Sequence, residues 1–374
     1  MSTQLIEARL QEEIDKSRAI IRTDGYSMSV GEWISLYERG EIDIHPEFQR
    51  FFRWSPKQKS RLIESILLGI PIPQIFVAQR EDGVWDVVDG LQRLSTIYQF
   101  AGILRDEENQ IVPGLVLERT KYLPSLMGKK WDDPDDSSNS LTSSQRLIIK
   151  RSKIDVSIIL RESDEASKYE LFQRLNTGGS PLSEQEVRNS ILVMINRDMY
   201  RWMRKLAEKP DFVECVALTD RALDEQYDME LVLRFLVFRT LDERQLSRIG
   251  DLGDYLTEKL TEMARDEDFE FEEEELAFST AFGLLRKTTG SDSFKKYDAE
   301  KGKFMGGFLV SGYEVVAIGL GYNYKVATGA NVDIESLVRG VWQKEQFTSK
   351  SGSGIRASSR VPNTIPLGRK LFKP

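Results

Sequence analysis

Residues 76–100, FVAQREDGVWDVVDGLQRLSTIYQF, constrain the fold more than any other stretch of the chain. Phe76-Val77-Ala78-Gln79 is apolar and β-prone, Glu81-Asp82-Gly83 is a hairpin signal, and Val84-Trp85-Asp86-Val87-Val88 reads as the returning strand. Asp89-Gly90-Leu91-Gln92-Arg93 then breaks the strand, and Leu91, Leu94, Ile97 and Tyr98 follow at helical spacing. A strand–glycine–helix junction points backbone N–H groups and a helix N terminus at one spot, which favours anions and above all phosphate. Arg93, in the first helical turn, adds a charged fork, and Asp89 is placed to hold a metal ion or orient water. The plain alternative is a tight turn with an exposed acid and a surface arginine, or an internal pair of Arg93 with Asp89, Asp86 or Glu64.

The neighbouring segments extend this unit. Ile44-His45-Pro46-Glu47-Phe48-Gln49-Arg50-Phe51-Phe52-Arg53-Trp54 sets cationic and amide groups among aromatics. Ser55-Pro56 is a helix N-cap with proline at the first helical position, and the helix runs over Leu62, Ile63, Ile66 and Leu67 to Gly69. Ile154, Val156 and Ile158 alternate as in a strand over 153–160. A short strand and helix are expected over 27–40. The pattern therefore predicts an α+β fold, with residues 25–100 and 150–160 sharing one small mixed sheet. An amphipathic lead helix is expected over 1–24, from Leu5, Ile6, Leu10 and Ile14. Residues 105–142 are rich in turns and read as an insertion or mobile loop outside the core. A helix over 163–175 ends in Asn176-Thr177-Gly178-Gly179, and Ser183-Glu184-Gln185-Glu186 is a capping box opening the next. Residues 191–346 read as mainly helical, with buried helices expected around Phe294–Tyr297, Phe304–Val310 and Tyr313–Ile318. A basic tail occupies 347–374.

Several of these motifs occur together in one order: FQR at 48–50, RW at 53–54, GIPIPQIFVA at 69–78, DGLQR at 89–93 and FQRLNTGGSPLSEQEVRNSI at 172–191. In that order they resemble the ParB/sulfiredoxin-like N-terminal domain of GmrSD-type restriction systems, a module that also occurs in SspE-type phosphorothioate-sensing defence proteins. The resemblance covers roughly residues 25–195. It implies a small mixed-sheet domain, over 25–190, that binds and in some members hydrolyses a nucleoside triphosphate with Mg²⁺. Carried onto this chain, it assigns Asp89, Gln92 and Arg93 to catalysis, with Asp89 as metal ligand. Gln49, Arg50, Arg53, Gly90, Arg174 and Asn176 are assigned to the nucleotide phosphates, so that Arg50 and Arg93 converge on one triphosphate. The family's usual DGQQR has Leu91 here in place of its first glutamine.

Composition narrows the alternatives. The 374 residues hold one histidine, His45, and one cysteine, Cys215. An HNH nuclease or a Cys/His zinc site needs more, so cleavage in such a system falls to a separate nuclease or effector chain or to a carboxylate site such as Asp86 with Asp89. One cysteine excludes an internal disulfide and fits a reducing cytoplasm. No transmembrane run and no signal-peptide core are present. The net charge of −8 argues against a protein that coats DNA with its whole surface. Charge is uneven, however: residues 262–275 carry nine acids and one arginine, and read as a solvated helix or loop, whereas 344–374 carry seven Lys/Arg and one Glu. Arg356, Arg360, Arg369 and Lys370 are thus candidate DNA contacts, the alternatives being a flexible tail or a segment returning to the fold. Three functional readings stay open beside nucleotide binding: a non-catalytic DNA-binding module, a Mg²⁺-dependent nuclease subunit, and a partner subunit whose pocket has decayed.

Overall fold

The computed structural model describes residues 23–44, 54–106, 108–160, 183–327, 333–352 and 354–373. The chain divides into two units, Met1–Pro181 and Leu182–Pro374. The first is α+β and the second is mainly helical, as the sequence pattern predicts.

Unit 1 is built on a five-stranded mixed sheet. Its elements are β1 (Thr23–Ser29), α1 (Val30–Glu38), β2 (Ile42–Asp43), α2 (Pro56–Leu68), β3 (Ile75–Gln79), β4 (Trp85–Asp89), α3 (Leu91–Ala101), α4 (Ser143–Arg151) and β5 (Lys153–Ile159). The strand order is β1-β5-β3-β4-β2. β5 runs antiparallel to β1 and parallel to β3, β3 is antiparallel to β4, and β4 is parallel to β2. Arg80 and Gly83 close the β3–β4 turn through backbone bonds, and the Asp82 carboxylate accepts from the Val84 N–H at 3.0 Å. Met28, Ile75, Val77, Val87, Ile154 and Val156 face a core shared with Trp33, Ile63, Leu94, Ile97 and Tyr98 of the helices. Burying such side chains contributes roughly 1.5–3 kcal/mol each. The buried Tyr98 hydroxyl donates to the Trp33 carbonyl at 3.1 Å, and its ring stacks on Tyr37.

Residues 105–142 depart from expectation. They are poor in regular structure, yet Leu115, Leu117, Leu126 and Leu141 belong to the core. The reason is polar as well as apolar. Buried Glu64 of α2 accepts the Tyr122 and Leu123 backbone N–H groups at 2.8 and 2.9 Å, and Ser60 accepts the Glu118 N–H. Against desolvation, a bond from the Thr120 side chain and those from the Tyr122 and Leu123 N–H groups hold the Glu64 carboxylate below its usual range.

In unit 2, the helices Glu184–Ile195, Tyr227–Thr240, Phe271–Thr288, Val310–Tyr322 and Ala357–Leu371 enclose an aromatic core of Phe212, Phe235, Phe278, Phe282, Phe294 and Tyr313. Lys296–Asp298 and Lys303–Met305 form an antiparallel hairpin where the sequence pattern implies helices. The short apolar runs there carry no period long enough to distinguish the two. The acidic run is not simply solvated: Glu273 pairs with Lys325, Glu274 with Arg239 and Glu275 with Lys209. Cys215 is buried, and burial pushes its thiol up to about 12. In the native protein at pH 8 it should be inert to Ellman's reagent and react only on unfolding; prompt native labelling would show that the core around it opens. Among the described residues no helix is long and apolar enough to cross a membrane.

Candidate functional site at the Asp89–Arg93 turn

β4 ends at Asp89, and the chain turns through Gly90 into α3. Gly90 has φ 102° and ψ 10°, in the left-handed region. A Cβ there would lie 2.3 Å from Cδ1 of the fully buried Ile75. Glycine is therefore required by conformation and by space at once. No side chain caps the N terminus of α3. α1, α2 and α4, by contrast, carry complete capping boxes built on Ser29, Ser55 and Thr142. With glycine as N-cap, no cap side chain stands over this helix end, and the positive end of the helix dipole lies behind it.

A β-bulge shapes the approach. Phe76 is paired with Asp89 and Val77 with Val87, so Val88 is the extra residue of β4. Asp86 is paired with Ala78. Because Phe76 and Ala78 share a face, the bulge brings Asp86 and Asp89 to that same face, although residues three apart on a regular strand oppose each other.

Arg93 is not the exposed fork the sequence pattern suggests. Its side chain is only 11% exposed, and Nη2 pairs with Asp89 Oδ2 at 2.7 Å. Nη1 donates to the carbonyls of Pro73 and Gln74. The guanidinium thus staples the Ile70–Gln74 segment to the end of β4, and Asp89 offsets the unfavourable placement of a cation at a helix N terminus. This is the internal pair with Asp89, so Arg93→Ala should cost more than the ~0.5 kcal/mol typical of surface changes. Losing these charged hydrogen bonds should cost about 1.5–3 kcal/mol, readable by chemical denaturation; a change within error would show that the staple is idle. Gln92 lies half-buried in the same first turn, and its carbonyl accepts from Thr96 Oγ1.

Asp86 is 4% exposed and is held by Arg80, whose Nε donates to Oδ2 at 2.9 Å and whose Nη2 reaches Oδ1. Asp86 is thus buried and paired, whereas Asp89 is one-third exposed. Among the described residues no group of three or more His, Cys, Asp or Glu is placed to hold a metal ion. Gln49, Arg50, Arg53, Arg174, Asn176 and His45 lie outside the described residues, as does the expected approach of Arg50 to Arg93.

The C-terminal candidates separate. Arg360 forks onto buried Glu314, with Nε and Nη2 each 2.9 Å from a carboxylate oxygen. Arg369 donates to the carbonyls of Phe238 and Leu241, where the Tyr227–Thr240 helix ends. Both therefore make structural contacts within the helical unit. Arg356 and Lys370 are exposed, at opposite ends of the Ala357–Leu371 helix. Sequence reasoning missed Arg80 and Arg188. Arg188 is 2% exposed and pairs with Glu230 at 2.6 Å in unit 2. The run EQEVRNSI, whose capping box is present, is buried on nearly every side. Its density of polar residues just after a cap was the available signal.

Residues 30–193 match the family model described as the GmrSD restriction endonuclease N-terminal domain. This part of the chain is a GmrSD-type N-terminal domain. The domain marks a restriction-system protein of phage defence. No curated protein and no solved structure gives a significant match. The matched GmrSD-type segment runs past the Pro181–Leu182 division, so its last helix, Glu184–Ile195, packs within the helical unit.

Proposed function

We infer that this protein binds a nucleoside triphosphate with Mg²⁺ at the Asp89–Arg93 turn, as the nucleotide-responsive component of a restriction system that acts on or is regulated by DNA. The observation that carries the reading is the uncapped N terminus of α3 behind a glycine whose φ and neighbours exclude other residues. Backbone N–H groups at the start of α3 are the phosphate donors, and Gly90 supplies the left-handed turn that presents them. Arg93 lies beside them and holds the turn in shape. Asp89 is one-third exposed, and its Oδ2 is engaged by Arg93. A lone carboxylate suits Mg²⁺, which commonly takes one or two protein carboxylates and completes its shell with water and phosphate oxygens. Such an ion would neutralise phosphate charge. Gln92 is the residue placed to orient a water for hydrolysis. There is no Walker A sequence, so the chemistry is not that of a P-loop. Cleavage of DNA belongs to a separate nuclease or effector chain.

Isothermal titration with each of the four NTPs and Mg²⁺, followed by phosphate release, tests this directly. Saturable binding of at least one NTP is expected, with Asp89→Ala lowering turnover more than affinity. Absence of binding by all four, together with salt-sensitive binding of duplex DNA, would replace the reading with a non-catalytic DNA-binding module.

A further inference from the structure

Acids outnumber bases in this chain by 60 to 52, and several surface arginines pair off accordingly. Arg39 pairs with Glu41, Arg221 with Glu225, and Arg286 with both Asp211 and Glu214. Unit 1 holds a face where this does not happen. Lys57 and Arg61 of α2 and Arg119 and Lys121 of the 118–123 strap are exposed, and among the described residues none of the four takes part in an ion pair. We propose that this face is a docking surface for the phosphate backbone of duplex DNA. The inference goes beyond the nucleotide reading and does not rest on it.

Side-chain to backbone bonds bring the four cations together. Lys57, Ser60, Arg61 and Glu64 recur at three- and four-residue spacing, so they lie along one stripe of α2. Ser60 accepts the Glu118 N–H at 2.8 Å, and Glu64 accepts the Tyr122 and Leu123 N–H groups. The strap therefore runs along the same stripe that carries Lys57 and Arg61. Thr120 is buried and donates to the Leu123 carbonyl at 3.0 Å, which leaves Arg119 and Lys121 on the outer side of the strap. The only acids on α2 and the strap are Glu64, buried and engaged by those N–H groups, and Glu118, half-buried. Clustered exposed cations on a backbone held in place are the electrostatic footprint of a polyanion contact. The matched domain is that of a restriction endonuclease, and duplex DNA is the polyanion such a system meets. Binding of a single strand would call for open aromatic platforms. Tyr122 is the one ring on these two elements, and the Lys121 ammonium lies over it, 5.3 Å from its centroid. The face is also distinct from the candidate turn. Lys59, between the two α2 cations, donates to Gln99 Oε1 at 2.8 Å, and Gln99 lies near the end of α3 remote from Asp89–Arg93.

Fluorescence anisotropy of a short labelled duplex, titrated with the full chain at several salt concentrations, tests the surface. Each phosphate contact contributes about 0.9 to the slope of log affinity against log salt. Lys57→Gln with Arg61→Gln should lower that slope by about two relative to wild type, and Arg119→Gln with Lys121→Gln by about as much. Arg356→Gln with Lys370→Gln, both exposed in the helical unit, should leave it unchanged. All six positions are exposed, so thermal melts of the three double variants should match wild type, and lost binding is then not lost fold. Four results would each overturn the proposal: no duplex binding by wild type, an unchanged slope in either unit 1 variant, an equal drop in the Arg356–Lys370 variant, or tighter binding of a single strand of the same sequence.

Discussion

Glu314→Ala should destabilise the helical unit by about 3–5 kcal/mol, the range for removing one partner of a buried ion pair. Glu314 has no exposed surface and is the hub of a ladder crossing four helices. Arg188 pairs with Glu230, Glu230 with Arg234, Arg234 lies 3.6 Å from Glu314, and Glu314 takes the fork of Arg360. Thr364 donates to the same carboxylate at 2.9 Å. Truncation leaves two arginines desolvated with one carboxylate fewer between them. Their charge cannot be shed, because arginine keeps its proton. Glu314→Gln keeps the shape and a hydrogen-bond acceptor, so it should cost less than alanine. Denaturant unfolding followed by the loss of helical signal reads both variants. A cost below about 1 kcal/mol for alanine would mean that water reaches the ladder and screens it.

The same ladder shows where sequence reading stops. The β3–turn–β4–Gly90–α3 run was legible because each signal is local: a two-residue alternation, a turn triplet, a glycine and a helical repeat. The N-cap at Ser55 and the capping box at Ser183 were legible for the same reason. Arg188 and Glu230 are 42 residues apart, and Glu314 and Arg360 are 46 apart. Nothing in either local pattern tells a buried arginine from a solvated one. Arg93 fails similarly, since two of its acceptors are backbone carbonyls near Pro73, which no sequence pattern displays. The leucines of 105–142 were hidden by the turn residues around them. Their burial is supported by Glu64, which accepts from two backbone N–H groups of a segment held otherwise by isolated bridges and turns. The bulge at Val88 was also illegible, and with it the shared face of Asp86 and Asp89.

Gly90→Ala should separate the two roles of the candidate turn. A side chain at φ 102° carries strain of about 1–3 kcal/mol. The new Cβ also meets Ile75 Cδ1 at 2.3 Å, and overpacking a core of this kind costs about 1–3 kcal/mol more. Ile75 has no exposed surface, so its side chain cannot swing out into solvent. The expected total is about 2–6 kcal/mol of stability. Ile75→Val removes the clashing methyl, so the double variant should recover the packing share while the backbone strain remains. A positive coupling of about 0.5–3 kcal/mol in this cycle would report direct contact. Nucleotide binding should behave differently. If phosphate sits on the first-turn N–H groups of α3, the strained backbone that alanine leaves at this position displaces them. The double variant should then refold well and still bind any NTP far more weakly than Ile75→Val alone. Equal binding by those two proteins would place the ligand elsewhere and reduce Gly90 to helix punctuation.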